Sequence, residues 1–245
     1  MKKAIGLSLL AAGAGFSSQG MAAQASTEFV RSEVAALRNE FSARLTTLAS
    51  AQAGLKAQLT ALNQGYQEAS LSGRVSPGAL YQGGLVFYVD ETGRHGLVVS
   101  LHDLPQSPLE WRNGDSGERI TNAHADGLNA GDTNTRLIIA AQTPDNQEGE
   151  FAALAAATWR IAADGVSPCS IEAPCYGHWL LPSAYELSLI YQLYRSTSLG
   201  DFSEEPYWSS TEASTTEAFL IDFASGERRR ADKATPARLR AVHAF

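Results

Sequence analysis

Residues 26–69 contain no proline, and their apolar side chains fall at Val30, Val34, Leu37, Phe41, Leu45, Leu48, Leu55, Leu59, Leu62 and Tyr66. Steps of three and four place them on one stripe of a single long α-helix. The mean period lies near about 3.6 residues rather than 3.5, which predicts only slight supercoiling. A helix of roughly 40 residues is about 60 Å long at 1.5 Å per residue, more than a small domain can cover. The stripe therefore calls for partners, and the favoured arrangement is a parallel bundle of copies, a homotrimer, with Val34, Leu37, Phe41, Leu48, Leu55 and Leu62 in the seam. A helix folded back on its own domain is the alternative. Arg44 and Gln58 interrupt one side of the seam and speak against a tight dimeric zipper.

Upstream, Met1-Lys2-Lys3 is a positive n-region, Ala4 to Phe16 an apolar run, and Ala23-Gln24-Ala25 a small-residue site. That order predicts a secretory signal peptide over residues 1–25, with a retained N-terminal anchor as the alternative. The run is too short and too rich in Gly and Ala for a convincing membrane span, so the mature protein is expected without one. Export to the periplasm or the cell surface fits the only two cysteines, Cys169 and Cys175, which lie among prolines in Pro168-Cys169-Ser170-Ile171-Glu172-Ala173-Pro174-Cys175. In an oxidising compartment they predict a disulfide, with two buried thiols as the alternative; without histidines at ligand spacing they make a poor zinc site.

The segment at residues 71–79, containing Gly73, Pro77 and Gly78, ends the helix and serves as a linker to a domain spanning 80–245. There, residues 85–90 and 96–101 read as a hairpin around Thr92-Gly93, and residues 135–141, 150–163 and 183–194 read as helical. The third helix starts with Ser183 three residues before Glu186, a capping box. Residues 218–223 and 238–243 read as strands. Hairpins and helices without regular alternation predict an α+β fold.

Three clusters raise the question of chemistry. Ser209 and Ser210 in Tyr207-Trp208-Ser209-Ser210-Thr211-Glu212 lack the Gly-x-Ser-x-Gly elbow and a positioned base, so no enzyme is expected. Asp126, Asn129 and Asp132 offer oxygens at short spacing for calcium, but no glutamate closes an EF-hand loop, and a self-bonded turn explains the same residues. No other cofactor is expected. Arg228, Arg229, Arg230, Lys233, Arg238 and Arg240 crowd the end of a 245-residue chain whose formal net charge is −7. The acidic balance argues against nucleic acid. Guanidinium forks match sulfate, phosphate or carboxylate groups, so Arg228, Arg229, Arg230, Lys233 and Arg238 are the candidate ligand contacts; a solvated hairpin turn paired with acidic residues is the alternative.

The spaced motifs Trp179, Leu181, Pro182, Ser183, Glu186, Leu187, then Tyr207, Trp208, Ser209, Ser210, Thr211, then Lys233 and Arg240 resemble the C-terminal domain of Legionella collagen-like adhesins. Gly84 to Val89 resembles that family's opening strand, and Gly131, Thr133 and Asn134 its Gly/Asn loop; His178 and His243 depart from its pattern. The resemblance covers residues 80–245. It implies a C-type-lectin-like domain, trimeric in the adhesin, that binds sulfated glycosaminoglycans at the cell surface. Together these readings predict an exported, adhesin-like protein recognising a carbohydrate or anionic surface polymer. The alternative is a structural or assembly component of the bacterial envelope that binds a protein partner.

Overall fold

The computed structural model describes residues 18–72, 74–114, 118–144 and 146–245, without the side chains of residues 18–28, 59 and 61–72. The expected leader falls mostly outside the described residues, as do Gly73 of the linker and the side chain of Leu62. The chain divides into two compact units, residues 1–58 and 59–245.

Helix α1 (Ser18–Ser72) accounts for the described part of the first unit and runs on past its boundary. It begins before residue 26, inside the expected leader, because the sequence there has no proline to stop it. Every described side chain from Phe29 to Gln58 is exposed, and Val34, Leu37, Phe41, Leu48 and Leu55 keep 50–67% of their accessible area. In the single chain the apolar stripe faces solvent.

The second unit contains β1 (Leu80–Tyr81), β2 (Gly84–Val89), β3 (Gly96–Ser100), α2 (Ala130–Gln142), α3 (Ala152–Thr158), β4 (Ile161–Ala162), β5 (Cys175–Tyr176), α4 (Ala184–Thr197), β6 (Pro206–Glu212), β7 (Glu217–Asp222), β8 (Arg228–Asp232) and β9 (Val242–Ala244). The strands pair antiparallel in the orders β1-β2-β3-β9, β4-β5 and β6-β7-β8. The fold is mixed α+β, with a long N-terminal helix and antiparallel sheets.

Strands β6 and β7 bury both faces. The cross-strand pair Trp208 and Leu220 belongs to a core shared with Trp111, Trp179, Phe151 and Leu181. The neighbouring pair Tyr207 and Ile221 packs into a second core with Phe202, Phe223 and the α4 residues Leu187 and Ile190. A strand covered on both faces shows no apolar/polar alternation, and none is visible in residues 206–212.

Two elements are shorter than the sequence predicts. Helix α3 ends at Thr158 rather than near 163, because Ile161 and Ala162 pair with Tyr176 and Cys175. This short ladder closes beside the Cys169–Cys175 disulfide, whose Cα atoms stand 5.2 Å apart. Residues 238–241 are not a ladder strand; only Val242–Ala244 pairs with β3. Backbone partners for the preceding residues come from the loop after β3, where Leu104 donates to the Leu239 carbonyl, and from Ser100, which donates to that of Ala241.

Candidate binding surface on the C-terminal unit

The start of α4 fixes the frame of the surface. Ser183 Oγ accepts from the Glu186 N–H, while Glu186 Oε2 accepts from the Ser183 N–H at 2.7 Å, completing the capping box. The Glu186 carboxylate also takes backbone N–H groups of Asn129 and Gly131, so one buried side chain ties the entrances of α2 and α4 together. Burial pushes its carboxyl above the ordinary range against the pull of those donors. The approach is close enough to require glycine at 131, where a Cβ would lie 2.8 Å from Glu186 Oε2 and 2.7 Å from the Leu181 carbonyl.

The hydroxyl run of β6 is absorbed by the scaffold. Ser209 Oγ donates to the Phe219 carbonyl at 2.6 Å, Ser210 Oγ accepts from Asn134 Nδ2, and Thr211 Oγ1 accepts from the Ala184 N–H. The indole N–H of Trp208 reaches the carbonyls of Leu109 and Thr235. These groups supply the hydrogen bonds that burial demands.

Lys233 is a correction to the expected ligand set. It is 1% exposed, and its ammonium donates to Glu212 Oε1 at 2.6 Å and to the carbonyls of Thr215 and Arg119, while lying 4.6 Å from the Trp111 ring centroid. Three donors thus meet three acceptors, and nothing is left for a ligand. Glu212 in turn accepts from the Thr121 and Asn122 N–H groups. Burial lowers the Lys233 ammonium from its usual range, with Glu212 pulling the other way.

Arg238 is also committed, bonding Glu205 through Nε and Asp103 through a terminal nitrogen at 3.1 Å. Its guanidinium holds the Glu205 carboxyl below the usual range. Arg240 is fully buried against Asp103 Oδ1 at 2.8 Å and the carbonyls of Ser100 and Asp201, with the ring of Phe202 3.9 Å beneath it.

Arg228, Arg229 and Arg230 remain exposed on β8, the outer strand of the β6-β7-β8 sheet. Arg228 and Arg230 lie on one face, 4.1 and 5.6 Å from the half-buried Phe219 ring centroid, while Arg229 sits opposite Leu220 on the other face. Arg228 donates to Asp126 Oδ2 at 2.6 Å, and Asp126 Oδ1 accepts from the Tyr185 N–H. Among the described residues, Arg229 and Arg230 have no ion-pair partner. The cationic surface is therefore narrower than expected, two unpaired guanidinium groups and one engaged at its rim, presented by a strand rather than a turn.

Of the oxygen donors weighed for calcium, Asp126 serves Arg228 and Tyr185, Asp132 pairs with Arg136 at 2.7 Å, and Asn129 starts α2 in a left-handed backbone conformation. Among the described residues, no group of three or more His, Cys, Asp or Glu side chains is placed to hold a metal ion. No helix among them is long and apolar enough to cross a membrane.

One concavity gathers residues that the sequence does not link to one another. A cleft of about 310 Å³ opens beside β9 and the start of α2, lined by Asn129, Asp132, Arg136, His178, Leu180 and His243 among others. These residues come from distant segments, which explains why no motif announces them. The His243 ring lies 5.5 Å from that of Trp179, tilted by 41°, with Nε2 3.2 Å from Gln82 Oε1, and burial holds its imidazole below the ordinary value.

No family model and no curated protein matches the chain. Among solved structures it is similar to a fimbrial protein from Bacteroides ovatus ATCC 8483, at 17% identity and a TM-score of 0.36. The likeness covers 65% of this chain and 43% of that one, so the match spans less than half of the fimbrial protein's length.

Proposed function

We propose that this is an exported, non-catalytic, adhesin-like binding protein whose lectin-like C-terminal unit recognises a carbohydrate or other anionic surface polymer. The long helix assembles the copies, as a trimer, and the C-terminal unit belongs with the domain of Legionella collagen-like adhesins that its motifs resemble. The observation that carries the reading is the exposed Arg228-Arg229-Arg230 strand over Phe219, on a chain whose net charge is −7. Uncommitted guanidinium groups take bidentate anionic groups, and repetition on an oligomer multiplies a weak single contact. A non-catalytic role is supported by the β6 hydroxyls, which bond within the fold, and by the paired cysteines.

The test is retention on immobilised heparin against a neutral glycan as salt is raised. Salt-sensitive retention on heparin alone, lost when Arg228, Arg229 and Arg230 become Ser, is the expected result. Equal retention by wild type and variant would reject the arginine strand as the site.

One feature favours the protein-partner alternative. Residues 166–175 are all exposed, the disulfide closes the loop from Cys169 to Cys175, and Ile171 stands fully open within that loop. A preorganised apolar tip suits a protein pocket. If that surface acts, Ile171→Ser abolishes capture of an envelope protein and leaves heparin retention unchanged.

A further inference from the structure

We infer that α1 associates with further copies of itself in parallel and in register through one continuous seam, in which Gln52 forms the single polar layer between Val30 and Leu55. It rests on the proposal above that the long helix assembles the copies.

Val30, Val34, Leu37, Phe41, Leu45, Leu48 and Leu55 follow one another at steps of four, three, four, four, three and seven. These are two heptad blocks joined at Phe41 by one extra step of four, a stutter that locally unwinds a coiled coil. Phe41 closes the first block at an a position and opens the second at a d position. The step of seven then has its missing a position at Gln52. All of these side chains and Gln52 are exposed in the single chain. In this register Arg44 flanks the seam instead of interrupting it.

Gln52 and the flanking charges each select the same alignment. A buried amide without a partner is costly, whereas parallel copies in register bring their Gln52 amides to one level, where they bond each other. A slipped or reversed helix sets the amide against other residues. Glu33 precedes the a position of Val34, and Arg38 follows the d position of Leu37, so parallel packing puts Glu33 of one copy against Arg38 of the next. Antiparallel packing over the same seam instead carries Glu33 to the level of Gln52 in the other copy, out of reach of its Arg38. Glu40 is already held by Arg44 of its own chain at 2.7 Å. Among the described residues Glu33 and Arg38 have no ion-pair partner in the single chain.

The direct test uses Gln52→Cys in the full chain, since Cys169 and Cys175 are already paired. Mild oxidation should link about half or more of the chains through residue 52, because a symmetric bridge needs the close Cα approach of a parallel seam. Ala57→Cys, on the outer face of the second block, should link almost none. Equal linking at both sites, or none at residue 52 in a chain that light scattering shows to be oligomeric, overturns the alignment and leaves self-association standing. A monomer at all concentrations overturns both. Independently, Glu33→Lys should weaken association about ten-fold, with Glu33→Lys plus Arg38→Glu restoring it; failure of the rescue also overturns the parallel register.

Discussion

Between Arg228 and Arg240 the chain carries six basic side chains, and the fold buries two of them while leaving three exposed. Lys233 and Arg240 are buried beside Glu212 and Asp103, whereas Arg228, Arg229 and Arg230 stand in solvent on an outer strand. The difference lies in what faces each position. Where a carboxylate and several carbonyls wait inside, the cation becomes part of the scaffold; where the strand edge is open, it remains available to a ligand. Local charge density in a sequence therefore overstates a binding surface by the number of cations that the core consumes.

The sharpest way to break this contrast is to remove a buried cation. Lys233→Ala leaves Glu212 buried without its ammonium partner and should cost about 3–5 kcal/mol in urea unfolding, with Arg240→Ala in the same range. A loss no larger than that of a surface arginine would erase the distinction. Ser183→Ala removes the cap of α4 and should cost about 1 kcal/mol by the same measurement, while Ser183→Thr should cost less.

A pH series sharpens the contrast at the cleft. Burial holds the folded His243 imidazole below its unfolded value, so the unfolded chain binds the proton more readily. The resulting stability is present above the unfolded value near 6.5 and is lost as pH falls through the lower folded one. His243→Gln should flatten that part of the stability–pH curve relative to wild type. The smallest stability change belongs to the exposed strand, where Arg228, Arg229 and Arg230 to Ser should shift unfolding by less than about 0.5 kcal/mol each.

How legible each feature was follows from its local physics. The α4 cap is a short-range signal, Ser183 and Glu186 bonding each other, and it was readable directly. The disulfide was readable from two cysteines six residues apart among prolines. By contrast, Arg228-Arg229-Arg230 carries no alternation, so it reads as a turn; pairing with Ile221, Leu220 and Phe219 makes it a strand. The fate of Lys233 was hidden because its partners, Glu212 and the carbonyls of Arg119 and Thr215, are assembled from separate segments. The cleft around His178 and His243 was invisible for the same reason. Periodicity and capping are written locally, but the commitment of a charge is written in tertiary contacts.

The most direct measurement is the salt dependence of heparin affinity for the wild type and the Arg228, Arg229 and Arg230 to Ser variant. If these side chains contact anionic groups, the slope of log affinity against log salt should flatten by about two per chain, roughly one for each unpaired guanidinium group removed. An unchanged slope and affinity in a variant that is still folded would contradict the assignment of this strand as the binding surface.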